Sequence, residues 1–192
     1  MLRALFIAPP GAGKGTQGPR LAELHGVPYV ATGDMLREHV ASGDELGMAA
    51  QSYMDQGGLV PDDLVNEMVR NAVAVPGLPG FVLDGFPRTL TQATAAHDWG
   101  RDNDRTFHAV IALVVPEDES VRRMLARSRD SDRSDDVLDT IMHRLKVYDD
   151  ETEPLLAYYR ERGILLEIDG VGTVEDVSSR IDAAIGTLDT SS

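Results

Sequence analysis

The segment from Ala8 to Gln17 (APPGAGKGTQ) constrains the fold of this chain more than any other stretch. It follows the apolar run from Leu2 to Ile7 and leads into a helical pattern from Gln17 to Leu24, which predicts a strand, a turn and a helix in that order. Glycines at 11, 13 and 15 let backbone N–H groups turn inward around an anion, and the helix directs its positive dipole end to the same place. The segment therefore predicts a phosphate-binding loop.

Two side chains of this loop supply its chemistry. Lys14 offers a mobile cation for terminal phosphates, and Thr16 offers a hydroxyl suited to Mg²⁺. The loop departs from the pattern G-x-x-x-x-G-K-[ST], because Ala8 replaces the first glycine and Gly15 moves the hydroxyl residue one place beyond the lysine. Glycine- and proline-rich turns also follow strands in proteins that bind no phosphate. The lysine and the strand-to-helix context favour the phosphate site. The methyl group of Ala8 either crowds the turn or, if its φ is negative, is tolerated.

Composition limits the partners of the chain. Its 192 residues carry a formal net charge of −14, which would repel nucleic acid and anionic membranes, so an anionic substrate needs a local concentration of arginines. No stretch is long and apolar enough for a membrane span or a signal peptide, and there is no cysteine for a disulfide or a thiolate zinc site. We expect one cytoplasmic domain over residues 1–192, monomeric, with no nucleic-acid or membrane partner.

Strand-like runs recur along the chain and alternate with helical patterns. This alternation predicts an α/β fold with a parallel sheet covered by helices on both faces, in which ligands bind beyond the carboxyl ends of the strands. The predicted strands are Leu2 to Ile7, Pro28 to Val30, Gly80 to Leu83, His108 to Val115 and Leu165 to Ile168.

Two further motifs follow predicted strands. The stretch from Thr32 to Arg37 (TGDMLR) indicates a helix start with Thr32 or Asp34 as the N-cap. The second motif, DGFPRT, begins at Asp84, which is placed to hold Mg²⁺ or its water shell but is also compatible with a simple turn or cap. Its arginine, Arg88, can clamp a phosphate with two parallel hydrogen bonds, which lysine cannot do.

Together, the loop and these two motifs resemble the adenylate kinase family of nucleoside monophosphate kinases. The resemblance runs from Leu2 to about Ile185 and implies a P-loop NTPase fold with a five-stranded parallel sheet flanked by helices. It also implies a small helical insertion that binds the nucleoside monophosphate, at 31–60, and a short lid over ATP, at 127–137. The lid lacks the zinc-binding extension of longer relatives, so we expect no structural zinc.

The resemblance assigns residues to both nucleotides. Arg37 and Arg88 would contact the AMP phosphate, and Gly85 and Gln92 would help to recognise adenine. The implied AMP-binding residues are Thr32, Arg37, Leu59, Val60, Gly85, Arg88, Gln92, Arg133 and Arg144. The implied ATP-binding residues are Gly11, Ala12, Gly13, Lys14, Gly15, Thr16, Arg123, Arg127 and Gly172. The implied catalytic residues are Lys14, Arg88, Arg127, Arg133 and Arg144, and Mg²⁺ would be held near Thr16 and Asp84, largely through water.

The predicted lid departs from the family pattern at two positions. Ser128 replaces the usual glycine after Arg127, and Asp132 replaces another glycine before Arg133. Each substitution narrows the backbone freedom, and Asp132 adds negative charge beside a phosphate-binding arginine. We therefore expect a lid with somewhat reduced ATP affinity or closing rate.

The predicted activity is the reversible, Mg²⁺-dependent reaction of ATP with AMP to give two ADP. A UMP/CMP kinase is the nearest alternative, because it shares the loop and both closing segments; Thr32 and the FPRT sequence favour AMP. A nucleotide-binding homologue with impaired transfer is the second alternative, suggested by Ala8, Ser128 and Asp132.

Overall fold

The computed structural model describes residues 1–78, 80–128 and 137–188. Within these ranges the chain alternates strands and helices, as predicted. The strands are β1 (Arg3–Ile7), β2 (Tyr29–Ala31), β3 (Phe81–Asp84), β4 (Ala109–Val114) and β5 (Leu165–Asp169). The helices are α1 (Lys14–His25), α2 (Thr32–Ser42), α3 (Glu45–Asp55), α4 (Asp62–Val73), α5 (Leu90–Asp102), α6 (Glu117–Arg127), α7 (Leu138–Val147), α8 (Pro154–Glu161) and α9 (Val174–Gly186).

The five strands form one sheet in the order β2-β3-β1-β4-β5, and each neighbouring pair is parallel. The predicted five-stranded parallel sheet flanked by helices is therefore confirmed, with every strand end within one residue of that expected. Strand β1 lies at the centre, so the loop that follows it emerges at the middle of the carboxyl edge. This is the edge at which parallel sheets bind ligands.

Alternating residues of β1 pack on opposite faces of the sheet. Ala4 and Phe6 belong to an apolar cluster with residues of α1 and α9, such as Leu21 and Ile181. Leu5 and Ile7 pack on the other face, in a cluster that includes residues of α5 and α8. All four of these β1 side chains are at most 2% exposed. A strand that is buried on both faces consists of a continuous run of apolar residues, which explains why β1 was evident in the sequence.

The helical region after β4 differs from the prediction. The sequence pattern from Val137 to Tyr148 predicts a single helix, but α7 begins at Leu138 and continues into a π-helical segment, Tyr148–Thr152, before α8 begins. A π-helical turn widens the backbone and often occurs at functional sites. Tyr148 and the buried hydroxyl residue Thr152 both line the cleft described below.

In the part of the chain that the structure describes, no helix is both long and apolar enough to cross a membrane. Most of the predicted lid, including Arg133 and Asp132, lies outside the described residues.

Candidate functional site

The loop between β1 and α1 has the turn that the sequence predicts. Gly11 and Gly13 have φ angles of +83° and +102°, which side chains rarely adopt, and Gly13 directly precedes α1. Gly15 differs, because it lies inside α1 and its φ is not positive. A Cβ at Gly15 would meet no protein atom within 4 Å. The backbone of the loop therefore requires glycine at two of the three expected positions.

Ala8 fits the loop without strain. Among the described residues, Asp104 is the one non-glycine with positive φ, so Ala8 has an ordinary backbone angle. Its methyl group is part of the buried apolar cluster that packs α1 and α9 on the sheet. The departure from the general loop pattern at this position leaves the turn intact.

Lys14 is half-buried and folds back over its own loop. Its Nζ donates hydrogen bonds to the carbonyl oxygens of Ala8, at 2.7 Å, and Pro9, at 3.2 Å. Burial lowers the pKa of Lys14 to about 8; the negative charge of Asp84 opposes this shift, and the positive charges of Arg88, Arg144 and Arg127 add to it. Burial and the neighbouring arginines outweigh Asp84 in this shift, so a bound phosphate would add negative charge that favours the protonated lysine.

Arg123 joins the loop to the turn after β5. Its guanidinium donates to the carbonyl oxygens of Ala12, at 3.3 Å, and Gly170, at 3.2 Å. Glu119 lies one helical turn earlier on α6 and accepts from Arg123 Nε at 2.6 Å. Hydrogen bonds from Arg122 and Arg123 lower the pKa of Glu119 to about 2, so its carboxylate stays ionised at neutral pH. Glu119 therefore fixes the orientation of Arg123.

The expected N-cap of α2 is wrong. Neither Thr32 nor Asp34 caps the helix; Ala31 is the N-cap residue and makes no side-chain cap bond. Thr32 instead begins the helix, is 1% exposed, and donates its hydroxyl to the carbonyl oxygen of Asp84 at 3.2 Å. This long-range bond ties α2 to the end of β3, which a local capping argument cannot reveal.

The arginine of the TGDMLR motif is paired within its own helix. Arg37 forms an ion pair with Asp34, three residues earlier, and both side chains line the cleft described below. A phosphate bound at Arg37 would therefore compete with the Asp34 carboxylate for the same guanidinium.

A hydrogen-bond network fixes Arg88 and Gln92. Arg88 Nε donates to the Gly85 carbonyl at 2.8 Å, and the Arg88 backbone N–H donates to Gln92 Oε1 at 2.7 Å. Gln92 Nε2 in turn donates to Asp62 Oδ1 at 2.7 Å, while Thr89 Oγ1 donates to Asp62 Oδ2 at 3.1 Å. Because both ends of the buried Gln92 amide are engaged, its orientation is determined by the protein.

Thr152 anchors the same network from the other side. Its hydroxyl donates to the Arg88 carbonyl at 3.0 Å. The π-helical segment that contains Thr152 follows α7 directly, and α7 carries Arg144. Arg88 and Arg144 both line the cleft, and Thr152, which follows Arg144 along the chain, bonds to the backbone of Arg88.

The predicted site residues line one cleft of about 640 Å³ and a smaller cavity of about 70 Å³ that shares lining residues with it, among them Arg37, Arg88 and Arg144. A volume of several hundred cubic ångströms is typical of small-molecule sites. The cleft contains these predicted residues: Gly11, Ala12, Gly13, Lys14, Gly15, Thr16, Arg37, Leu59, Asp84, Gly85, Arg88, Arg123, Arg127, Arg144 and Gly172. The smaller cavity adds Thr32, Val60 and Gln92. Arg133 lies outside the described residues.

The cleft concentrates positive charge in an acidic protein. Seven basic side chains line it against three acidic ones, Asp34, Asp84 and Glu119. This is the local arginine concentration that the net charge of −14 made necessary for an anionic ligand.

The donor set in the cleft fits a magnesium ion. Thr16 offers a hydroxyl oxygen on the first turn of α1, and Asp84 offers a carboxylate at the end of the neighbouring strand β3. Mg²⁺ prefers oxygen ligands, retains several waters and is usually held by one or two protein groups together with phosphates. Elsewhere in the described ranges, no group of three or more His, Cys, Asp or Glu residues is arranged to bind a metal.

Ser128 does not need the freedom of the glycine it replaces. It ends α6 with φ −61° and ψ −20°, and its hydroxyl donates to the Leu125 carbonyl at 2.9 Å. Residue 132 lies outside the described residues, so the expectation about Asp132 stays a prediction.

Sequence reasoning missed four residues that orient the site, namely Tyr29, Asp62, Glu119 and Thr152. Tyr29 donates its hydroxyl to Asp84 Oδ2 at 2.7 Å. The i, i+4 spacing of Glu119 and Arg123 was a usable local signal. The other three act across 27 to 64 residues of sequence, and no local pattern marks them.

Comparison with known proteins agrees with this geometry. The family model described as "Adenylate kinase" matches residues 6–164. The curated adenylate kinase of Nocardia farcinica is 47% identical over 186 residues, which covers 96% of this chain and 99% of that protein. The adenylate kinase of Thermobifida fusca is 46% identical over 96% of this chain and 98% of its own length. That of Thermus thermophilus is 46% identical over 95% and 96%. These full-length matches, together with the phosphate loop and the arginine-lined cleft, establish that the chain belongs to the adenylate kinase family.

Proposed function

We propose that the chain catalyses the reversible, Mg²⁺-dependent transfer of a phosphoryl group from ATP to AMP, giving two ADP. The observation that carries this proposal is the convergence of Lys14, Arg88 and Arg144 on one cleft that continues into a second, smaller cavity. Two anionic nucleotides can meet there only if positive charge surrounds the group that moves.

The loop side of the cleft is the donor half in this proposal. Backbone N–H groups from Gly11 to Thr16 and the Lys14 ammonium hold the ATP phosphates. Arg123, fixed by Glu119 beside the Gly170 carbonyl, lies next to the Gly172 turn, where the base of ATP is expected.

The side of the cleft next to α2 is the acceptor half. Arg37 and Arg88 bind the AMP phosphate, while Leu59, Val60 and Thr32 surround the nucleoside. Gly85 and Gln92 recognise adenine. This assignment is supported by the smaller cavity, which these residues line together.

Transfer between the two halves depends on position and charge. The loose transition state of phosphoryl transfer requires in-line alignment and stabilisation of the equatorial oxygens, and little covalent help from the protein. Arg88, Arg127, Arg133 and Arg144 supply that charge. Mg²⁺, held near Thr16 and Asp84 largely through water, neutralises phosphate charge when it is bound. Closure of residues 31–60 and of the short lid, 127–137, excludes water and so prevents hydrolysis of ATP.

The acceptor survey tests this function. Purified protein is assayed with Mg²⁺-ATP and each of AMP, UMP, CMP and GMP, with and without metal. We expect transfer to AMP that requires Mg²⁺. Transfer to UMP or CMP in preference to AMP would identify the alternative kinase, and ATP binding without transfer to any acceptor would identify an impaired homologue. The geometry of Ala8 and Ser128 favours the active enzyme.

The lowered pKa of Lys14 predicts a pH dependence. In the free protein Lys14 loses its proton as pH rises through about 8, so the phosphate-binding charge is present below that pH and absent above it. We expect kcat/KM for ATP to fall by about tenfold per pH unit above the pKa, because this ratio reports the free enzyme. The fall in kcat should begin at higher pH, since bound phosphates raise the pKa of Lys14.

Direct measurement of the Lys14 pKa is feasible because Lys14 and Lys146 are the only lysines in the sequence. NMR of protein labelled at lysine should show two titrations, and Lys146→Arg assigns them by removing the surface signal. A Lys14 titration near the ordinary lysine pKa would contradict the prediction.

The Asp62 carboxylate is expected to affect the KM for AMP and not the KM for ATP. Asp62→Ala removes the acceptors of Gln92 Nε2 and Thr89 Oγ1, so the Gln92 amide loses its fixed orientation. We expect the KM for AMP to rise by about tenfold with little change in kcat, since a bond to a charged group contributes about 1.5–3 kcal/mol. Asp63→Ala, at the next and exposed position of α4, is the matched control and should leave both constants unchanged. An equal rise in the KM for ATP would refute a local role.

The monomeric state and cytoplasmic location remain predictions. Light scattering during size-exclusion chromatography tests the first.

A further inference from the structure

Tyr29 contacts the carboxylate of Asp84, which belongs to the proposed magnesium site. Its hydroxyl donates to Asp84 Oδ2 at 2.7 Å. In the parallel pairing of β2 and β3, Tyr29 is opposite Val82, and Asp84 lies two residues beyond it on the same face of the sheet. Both Tyr29 and Asp84 line the cleft. The register of two strands therefore brings the phenol to this carboxylate.

The ring of Tyr29 occupies space that the sequence leaves open on α1. A Cβ at Gly18 would lie 2.2 Å from Tyr29 Cε2 and 2.9 Å from Cδ2, closer than real Cβ atoms come to their neighbours. The φ of Gly18 is not positive, so close approach of the ring, rather than backbone conformation, requires glycine there. Glycine inside a helix costs about 1 kcal/mol relative to alanine, and the packing of the ring accounts for its presence.

Asp84 forms no ion pair with the loop lysine in the described part of the chain. The Lys14 ammonium donates to the carbonyl oxygens of Ala8 and Pro9. The hydrogen bond from Tyr29 occupies one carboxylate oxygen and leaves the other for a ligand. The phenol is a neutral donor, so it fixes the carboxylate without cancelling its charge.

We propose that Tyr29 is a positioning residue: its hydroxyl holds one oxygen of Asp84 so that the other faces the hydrated magnesium ion of the donor nucleotide, and Gly18 provides the space for its ring. This inference rests on the proposed magnesium site at Asp84. Groups that orient metal-binding carboxylates contribute tenfold to a hundredfold to metal affinity in other proteins.

The test measures metal binding rather than turnover. Tyr29→Phe keeps the ring and removes the hydroxyl. Electron paramagnetic resonance of free Mn²⁺ then gives the affinity of the ion for protein saturated with a non-hydrolysable ATP analogue, and calorimetry gives the affinity for the metal-free analogue. We expect Mn²⁺ to bind about tenfold more weakly, while the metal-free analogue binds within about twofold of wild type. At low Mg²⁺ the turnover falls, and added Mg²⁺ restores it.

Tyr158→Phe is the matched control. The Tyr158 hydroxyl is buried and forms no hydrogen bond with the described residues, so its removal should leave Mn²⁺ affinity unchanged.

Gly18→Ala tests the packing half of the proposal. The added methyl group should displace the ring and lower Mn²⁺ affinity as Tyr29→Phe does. In a Tyr29→Ala background the same substitution should have no further effect on metal affinity, because no ring remains to be displaced. Alanine favours the helix but the methyl group meets the ring, so a circular dichroism spectrum like that of wild type is required before the metal affinity is compared.

Three outcomes overturn the proposal. Folded Tyr29→Phe protein that binds Mn²⁺ as tightly as wild type shows that the hydroxyl does not act on the metal. An equal loss for the metal-free analogue shows a general packing role. If Asp84→Asn also keeps full Mn²⁺ affinity, the magnesium site itself is misassigned. Failure of the proposed phosphoryl transfer to AMP is a separate result, which would appear only in the acceptor survey.

Discussion

Lys14→Ala is expected to reduce phosphoryl transfer by about a thousandfold or more, because it removes the loop's only side-chain cation from the donor phosphates. In the free protein the Lys14 ammonium donates to the Ala8 and Pro9 carbonyls, and burial lowers its pKa. No arginine can replace it, since the arginines of the cleft project from other elements. A coupled assay with ATP and AMP measures the loss.

The second lysine of the chain provides the control. Lys146 is an exposed residue near the end of α7. Its Nζ forms an ion pair with Asp150 Oδ2 at 2.7 Å. Lys146→Ala should retain wild-type turnover and a wild-type circular dichroism spectrum. If Lys14→Ala retains more than about a tenth of wild-type activity, the Lys14 charge is not essential. The assignment of the phosphate loop would then be overturned.

Arg88→Lys is expected to lower kcat by about a hundredfold, although it conserves the charge. Arg88 Nε is engaged by the Gly85 carbonyl, which fixes the guanidinium plane against the end of β3. A lysine has one nitrogen and cannot bond this carbonyl while also clamping a phosphate with two parallel bonds. The Gln92 side chain would keep its bond to the backbone of residue 88, so the surrounding network should survive.

Arg101→Lys is the matched control for this substitution. Arg101 lies near the end of α5, is 62% exposed and pairs with Asp98 and Asp102. Its replacement should leave kcat and the KM for AMP unchanged. If the kcat of Arg88→Lys stays within about threefold of the wild-type kcat, a point charge suffices and the bidentate clamp is not needed.

Much of the fold was predictable because its signals are local. The apolar run at β1 is buried on both faces, so every residue from Ala4 to Ile7 is apolar and the strand is evident. The end of α7 was not predictable in the same way. The π-helical segment from Tyr148 to Thr152 is not marked by the local pattern, which simply continues as helix, and Thr152 bonds to Arg88, 64 residues away in sequence.

The site residues were recognised from motifs, and the structure adds how they are held. Thr32 illustrates the difference. Its position suggested a helix cap, which is a local role, yet its hydroxyl reaches the Asp84 carbonyl. Gln92 was expected to recognise adenine, but the Asp62 carboxylate that orients its amide was not identified. A motif records which chemistry is required at a position, while the partners that orient a side chain come from distant segments.

The sequence alone determined the order of strands and helices, the phosphate loop with Lys14, and the need for clustered arginines in a chain of charge −14. These follow from periodicity, residue type and net charge, which act locally or in sum. Only the tertiary structure decided that Ala8 fits without strain, that Gln92 is held by Asp62, and that Tyr29 reaches Asp84 over Gly18. The Tyr29 contact depends on the register of β2 and β3, and the Gln92 contact depends on the packing of α4 beside α5. A contact of a few ångströms is decided only when distant segments pack together.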